Sequence, residues 1–417
     1  MHASLNSSLQ VFRYGYFAKF WSGRFLSTLG TFTLSVTLGW QVYTIARLSH
    51  SVEQSAFLVG MVGLVQFLPL FALSLLAGAA ADRYDRRKIL LAATLLQLSC
   101  ATALAAIAWS AHPPLALIFA VAALFGVARA FIIPTASALG PMLVSIELLP
   151  RDIAWSSLGS QGGMILGPWL GGMLCAVSTS LSYAVAAGMY LLAISAFVSI
   201  RGDTRPVHNG ASRMAMIREG LAYIWSNKVV FGAISLDLVA VLLGGVTALL
   251  PVYAHDILSV GPHGFGLLRS GPAIGGGLMA LLLSIRPIQR YAGAWMLWAV
   301  VVFGLATIVF AVSRDLMLSL AALVVLGAAD VISVFIRQSL VQVVTPDLMR
   351  GRVSAVSGMF ISASNELGEF ESGVAARLLG PVGSALLGGV GSIAVTAIWA
   401  KLFPALRRAD RLEKPGP

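Results

Sequence analysis

Long apolar runs, each about the ~20 residues that a helix needs to cross a bilayer, recur along the whole chain between short polar connections. Hydrophobic residues make up 58% of the 417 positions, and only 11% are charged. Ordinary soluble proteins carry roughly 25% charged residues. The pattern therefore predicts an all-α membrane protein.

The apolar runs predict twelve transmembrane helices. Their expected ranges are 17–46, 54–80, 88–110, 114–140, 152–178, 180–200, 229–254, 264–285, 292–312, 315–338, 353–376 and 381–403. A polar connection in the middle divides them six and six. The predicted domains are an N-terminal six-helix bundle (1–200), a cytoplasmic linker with an amphipathic helix (201–228), a C-terminal six-helix bundle (229–403) and a cytoplasmic tail (404–417).

Most of the 28 Lys and Arg residues lie in alternate connections and at the two ends of the chain. Cytoplasmic loops are enriched in Lys and Arg, so both termini are predicted to be cytoplasmic. The net charge of +11 then reflects membrane orientation. A nucleic-acid surface would need a solvated basic patch interleaved with aromatic residues, and the cations do not form one. We expect an inner-membrane protein that does not bind nucleic acid.

Several kinds of site have no signature in the sequence. Cys100 and Cys175 lie inside apolar runs, without the spacing of a metal site or a disulfide framework. No phosphate-binding G-x-x-x-x-G-K-S/T motif is present, which argues against coupling to ATP. No cluster of nucleophile, base or metal ligands predicts catalysis. We expect neither a cofactor nor a metal, and no enzyme activity.

Carboxylates inside the apolar runs are the first candidates for function. Charged groups at bilayer depth are costly, and they usually mark an ion or substrate path. The candidates for proton coupling are Asp237, Asp330, Glu366, Glu369 and Glu371. Glu366 is the predicted principal carrier, because it lies near the midplane and about 60° from Glu369 on one helix face. The alternative is that these acids pair with Arg129 or Arg337 and only hold the helices together.

Other polar residues at bilayer depth are candidates for lining a substrate cavity. They are Arg24, Gln41, Arg129, Gln161, Arg337 and Asn365. For each of them the alternative is a hydrogen bond between helices. The buried arginines could equally contact an anionic substrate.

The connection after the second span carries a charged motif from Gly78 to Lys88. It resembles the loop signature G-x-x-x-D-R-x-G-R-R/K of the major facilitator superfamily, and departs from it at Asp85, where glycine is usual. The resemblance implies a cytoplasmic gate. Its predicted residues are Gly78, Asp82, Arg83, Arg86, Arg87 and Arg352. The alternative is a positively charged anchor that any membrane protein could carry.

The fifth span is rich in glycine and contains a proline. Gly163, Gly167, Pro168, Gly171 and Gly172 resemble the antiporter motif of proton-coupled drug exporters in this superfamily. Glycines allow close helix contact, and a proline inside a helix can bend it. A packing face without any effect on transport direction is the alternative.

The whole chain resembles the enterobactin-exporter-like branch, the transmembrane secretion effectors. The further matches are the stretch from Arg129 to Pro134, the segment from Met349 to Arg352 and the segment from Arg218 to Trp225. Relatives carry Gly-Asp in span 1, whereas Thr31 follows Gly30 here. No acid in span 1 can therefore be carried over.

This resemblance implies a monomeric secondary transporter in the lipid bilayer. It would export a small amphiphilic compound, such as a drug, a siderophore or a metabolite, in exchange for protons by alternating access. The alternatives are an importer with the same fold and a membrane receptor that binds a ligand without transporting it.

Overall fold

The computed structural model describes residues 11–12, 14–110, 113–201, 204–205, 213–288 and 290–408, and every structural statement below concerns these residues. Arg13, parts of the predicted linker (202–203 and 206–212) and the end of the predicted tail (409–417) lie outside them. Within the described ranges the chain is helical and contains no β-strand.

The helices follow one another with short connections. They are α1 (Gly15–Arg47), α2 (Val52–Arg83), α3 (Arg86–Ala108), α4 (Leu115–Leu139), α5 (Leu149–Val177), α6 (Thr179–Val198), α7 (Arg213–Ser226), α8 (Lys228–Leu243), α9 (Gly261–Ile285), α10 (Ala292–Val312), α11 (Leu316–Val344), α12 (Asp347–Leu402) and α13 (Pro404–Arg407). Short 3-10, α and π turns continue the chain after α8, at Val246–Leu249, Leu250–Val252 and Tyr253–Ile257.

Nine helical segments in the described part of the chain are long and apolar enough to cross a membrane. They are Val52–Arg83, Arg86–Ala108, Leu115–Leu143, Thr179–Val198, Lys228–Ile257, Gly261–Ile285, Ala292–Val312, Leu316–Val344 and Met349–Leu402. The prediction of an all-helical fold with several membrane-spanning helices is confirmed for the described residues. The number of twelve spans stays a prediction.

Polar side chains at the helix starts explain several of the boundaries. The first backbone N–H groups of a helix have no partner inside it, and a side-chain oxygen just before the helix can accept from them. Asn227 accepts from the N–H groups of Val229 (3.1 Å) and Val230 (3.2 Å) at the start of α8. Asp315 accepts from the N–H of Leu318 (2.8 Å) in the same way and starts α11.

The long helix α12 contains a sharp break at Gly380. The backbone there has φ 75° and ψ 164°, a conformation that favours glycine because any Cβ would be strained. Pro381 follows and has no N–H to continue the hydrogen-bond ladder. The break falls between the predicted spans 353–376 and 381–403, so these two helical parts are joined with almost no loop.

The chain divides into two compact units. The first unit comprises Met1–Ile45 and Val65–Gly210, and the second comprises Ala46–Leu64 and Ala211–Pro417. One core cluster of the first unit includes Phe17 and Phe20 of α1 and Phe197 of α6. In the second unit, Leu236, Met296 and Ile336 belong to one core cluster that joins α8, α10 and α11.

Helix α7 has one apolar side. Its Ile224 is buried in a cluster with Val341 of α11 and Val353 of α12. Trp225, about 100° around the helix from Ile224, is 68% exposed. Such an amphipathic pattern suits a helix at a membrane surface, with one side packed on the protein.

Candidate functional site

Two deeply buried charged residues of the second unit, Asp237 and Arg337, belong to what we call the aspartate-arginine cluster, which also contains Ser333, Ser357 and the partly buried Asp330. Arg337 Nη2 lies 3.4 Å from Asp237 Oδ2, and the two side chains are only 1% and 5% exposed. The hydroxyl of Ser333 donates to Asp237 Oδ1 at 3.5 Å, and Arg337 Nη1 donates to Ser357 at 3.4 Å. The cluster therefore links α8, α11 and α12.

Helical periodicity brings the α11 members of this cluster together. At about 100° per residue, Ser333 lies about 60° and Arg337 about 20° around the helix axis from Asp330. All three thus occupy one face of α11. Asp237 of α8 contacts this face of α11 through Ser333 and Arg337.

A small cavity adjoins the cluster. It leaves about 10 Å³ for the centre of a water molecule, which is about the space that one water needs. Its lining comes from α8, α10 and α11: Asp237, Ala240, Val241, Ala299, Val300, Phe303, Ala329, Asp330 and Ser333. Its polar lining residues are Asp237, Asp330 and Ser333.

A second polar group of this unit is centred on Glu369 of α12. Its Oε1 accepts from Arg269 Nη2 of α9 at 3.0 Å and from the hydroxyl of Thr247 at 3.3 Å. The side chains of Arg269 and Glu369 are about a quarter exposed. This carboxylate therefore has a cation of its own.

The other predicted residues on α12 have different surroundings. Asn365 is exposed, whereas Glu366 and Glu371 are partly buried. Gly63 of α2 packs close to this helix, since a Cβ added there would lie 3.1 Å from the Glu369 Cβ and 3.2 Å from the Glu366 carbonyl oxygen. A proton-carrying role for these acids stays a prediction.

In the first unit, two of the predicted cavity residues make hydrogen bonds between helices. Arg129 of α4 donates to Gln66 of α2 at 3.0 Å. Tyr183 of α6 donates to the buried Gln41 of α1 at 2.7 Å. Both contacts are of the kind that stabilises helix pairs in a membrane.

The remaining two cavity candidates of this unit lie on α1 and α5. Arg24 is partly buried and interacts electrostatically with Asp152, whose carboxylate also accepts from Ser156 at 3.2 Å. Gln161 is partly buried on α5. Whether any of these residues contacts a substrate stays a prediction.

The arginines of the charged loop bind helix C-termini of the first unit. Arg86 donates to the carbonyls of Ala81 and Ala138, both at 3.0 Å. Arg87 donates to the carbonyls of Phe197 (3.0 Å) and Val198 (2.5 Å) at the end of α6. The last carbonyls of a helix have no partner within it, so arginine donors stabilise them.

The other predicted gate residues are placed as follows. Gly78 is buried in α2, while Asp82 and Arg83 are exposed at its end. Arg352 of α12 forms an ion pair with Glu219 of α7. The gating role of this set stays a prediction.

The glycines of the fifth helix pack against α1. A Cβ added at Gly163 would lie 2.7 Å from the Thr28 side chain, and one added at Gly167 would lie 2.6 Å from the Phe32 Cβ. A Cβ added at Gly171 would lie 2.9 Å from the Thr33 carbonyl oxygen, and Gly172 and Pro168 are buried as well. The glycines thus let two helix backbones approach closely.

The structure identifies two residues that our sequence reasoning did not assign. Arg269 is the partner of Glu369, and its signal was a lone arginine inside an apolar run. Asp85, recognised only as a departure from the loop signature, accepts from the N–H of Arg87 (3.0 Å) and the hydroxyl of Thr204 (2.5 Å). It is the N-cap of α3, and its signal was an aspartate directly before a helical run.

The capping role of Asp85 leads to a testable expectation. Asp85→Ala should lower the free energy of unfolding by about 0.5–2 kcal/mol, because the first N–H groups of α3 lose their acceptor. Asp85→Asn should keep most of the stability, and Asp85→Gly should cost only a few tenths of a kcal/mol. Thermal unfolding of the purified variants in detergent measures the order. Equal stability of the alanine and asparagine variants would contradict the cap.

Comparison with known families decides what kind of protein carries these sites. The family model described as transmembrane secretion effector matches residues 6–414. The chain belongs to this family of the major facilitator superfamily. Its members and relatives are transporters and not enzymes, and the chain is an integral protein of the bacterial inner membrane.

Curated relatives cover most of this transmembrane secretion effector. The multidrug efflux pump Tap of Mycobacterium tuberculosis (strain ATCC 25618 / H37Rv) is 28% identical over 380 residues, which are 86% of this chain and 88% of the pump. The enterobactin exporter EntS of Citrobacter koseri is 25% identical over 417 residues, covering 98% of this chain and 95% of the exporter.

Solved transporters share the fold. A POT family transporter in complex with 5-aminolevulinic acid has a TM-score of 0.74 at 11% identity, covering 94% of this chain and 96% of that one. A D-xylose-proton symporter has a TM-score of 0.72 at 12% identity, covering 96% of this chain and all of that one. At this identity the likeness concerns the fold alone.

Proposed function

We propose that this secretion effector exports a small amphiphilic compound from the cytoplasm in exchange for protons. The observation that carries the proposal is the presence of carboxylates inside the apolar helices, two of them paired with arginines of neighbouring helices. Asp237 lies beside Arg337, and Glu369 beside Arg269. Ionisable groups at bilayer depth are typical of proton and substrate paths.

The direction of transport is supported by the relatives. Tap is named a multidrug efflux pump, and EntS is named an enterobactin exporter. Both match this chain over most of its length. We propose that a drug-like, siderophore-like or metabolite-like compound follows the same outward direction here.

The proposed architecture has twelve spans in two six-helix bundles, 1–200 and 229–403, joined by the linker 201–228. In this proposal both termini, including the tail 404–417, are cytoplasmic, and one monomer in the lipid bilayer is the working unit. The bundles alternate between inward-facing and outward-facing states. The proposed cytoplasmic gate comprises Gly78, Asp82, Arg83, Arg86, Arg87 and Arg352.

Inside-out membrane vesicles test the proposal. Their lumen corresponds to the outside of the cell, and respiration makes it acidic. Addition of a transported compound should make the lumen less acidic, because protons leave as the compound enters. The quenched fluorescence of an acridine dye would then recover, and the compound would accumulate in the lumen. Enterobactin and a panel of drugs of different chemical classes are the probes, because the relatives are named an enterobactin exporter and a multidrug efflux pump.

Vesicles from cells without the protein provide the background. A compound that enters only in the presence of the protein, together with proton release, supports proton-coupled export. Movement only out of the lumen would indicate an importer of the same fold. Saturable binding without any accumulation would indicate a receptor.

A further inference from the structure

The aspartate-arginine cluster contains more negative than positive groups. Asp237 and Asp330 are two carboxyl groups, and Arg337 is one guanidinium, which stays charged in proteins. With both carboxyl groups ionised, one negative charge has no counter-charge in an apolar region. An unpaired buried charge is costly, and one proton removes it.

The contacts distinguish the two aspartates. Asp237 has the ion pair with Arg337 and accepts from Ser333. Asp330 borders the cavity, and among the described residues it has no ion pair within 4.0 Å and no hydrogen bond. Asp330 therefore has no direct partner for a negative charge, and a proton bound to it would remove that charge.

The surroundings contribute no other titratable group to the cavity. From α10 it receives only Ala299, Val300 and Phe303, and α12 contributes the Ser357 hydroxyl to the guanidinium. The cavity, whose lining includes Asp237, Asp330 and Ser333, has room for about one water molecule. Arg337 Nε, which is fully buried, has no hydrogen-bond partner in the described part of the chain. The cluster thus has unused hydrogen-bonding capacity.

Glu369 of α12 has a different charge balance. Glu369 and Arg269 make a pair of one carboxylate and one guanidinium, further supported by Thr247. That pair is neutral without a proton. The charge balance therefore favours the aspartates over Glu369 as the place where a proton binds.

We infer that Asp330 binds the coupling proton, in a site whose second carboxylate is Asp237 and whose fixed cation is Arg337. The inference rests on the proposed proton-coupled function, and it moves the principal proton carrier from Glu366 to α11. With the proton bound, Arg337 pairs with Asp237 alone. After release of the proton, Asp237 and Asp330 are both charged and share the guanidinium of Arg337. The site therefore has one arrangement with the proton bound and another without it.

Infrared difference spectroscopy on the purified protein in lipid tests this inference without any substrate. Spectra recorded across a pH titration should contain a C=O stretch of a protonated carboxyl group. Asp330→Asn should lose this band, and Asp330→Glu should retain it at a shifted frequency. Glu366→Gln and Glu369→Gln are the matched controls from α12, and both should keep the band of the wild type.

An unchanged band in Asp330→Asn, or its loss in Glu366→Gln, would overturn the inference. A wild-type spectrum without any titrating carboxyl band would do the same. Asparagine resembles a neutral aspartic acid, so we expect the first variant to fold. Ser333→Ala adds an independent readout, since loss of the neighbouring hydroxyl should shift the band. Failure of export in vesicles would leave the band in place, so the two failures are distinguishable.

Discussion

Arg337→Leu is expected to lower the free energy of unfolding by about 3–5 kcal/mol, which is the typical cost of removing one partner of a buried ion pair. The reason is that Asp237, whose side chain is 5% exposed, would keep its charge without a cation or would have to take up a proton. Ser357 would also lose its guanidinium donor. Heating the protein in detergent and measuring the remaining monodisperse fraction gives the comparison.

Arg377→Leu is the matched control for this prediction. Arg377 lies on α12, is exposed, and stacks on the ring of Phe57 with 5.0 Å from its guanidinium carbon to the ring centroid. Its loss should cost only about 0.5–1 kcal/mol. The double variant Arg337→Gln with Asp237→Asn should recover part of the stability, because with Asp330 protonated no buried charge is left unpaired. Equal loss in the two arginine variants would contradict the role of burial.

Gly167→Leu is the second change with a large expected effect. A Cβ at this position would lie 2.6 Å from the Phe32 Cβ and 3.0 Å from the Leu29 carbonyl oxygen, so α1 and α5 would have to separate. Overpacking of this kind typically costs about 1–3 kcal/mol and sometimes more. We expect the variant to reach the membrane and to lose most of its efflux. Vesicle transport normalised to the amount of protein is the measurement.

Gly188→Leu on α6 controls for the chemistry of the substitution. Gly188 is exposed, and an added Cβ would have no heavy atom within 4 Å. Leucine there should leave transport and stability nearly unchanged, since it also forms helices better than glycine. Gly167→Ala should fall between the two leucine variants. Full efflux in Gly167→Leu would rule out a need for close contact at this point.

The general fold could be predicted because its signals are local. Apolar runs define the helices, and Asn227 and Asp315 mark two of their starts. The seventh span was less predictable. The sequence suggested one run over 229–254, whereas α8 ends at Leu243 and irregular turns follow it. Gly244, Gly245 and Pro251 were the signals for this interruption.

The partners inside the candidate site could be predicted only in part. Pairing of the acids with Arg129 or Arg337 was left open as an alternative to proton coupling, and in the structure Arg337 pairs with Asp237. The partner of Glu369 was not foreseen, because Arg269 was not among the candidate residues and lies on another helix, α9. Helical periodicity indicates which residues share a face of one helix. It does not indicate which other helix that face meets.

The position of the buried charges also has a consequence for synthesis of the protein. Asp237 enters the membrane with α8, before α9, α10 and the helix that carries Arg337 have been made. An aspartate or arginine at the centre of a helix opposes insertion by about 2.5–3.5 kcal/mol on translocon-based scales. Helix α8 must therefore insert with its carboxyl group neutral or in contact with water. Its ion pair forms only after α11 has followed, so the last helices complete a site that the earlier ones leave open during biogenesis.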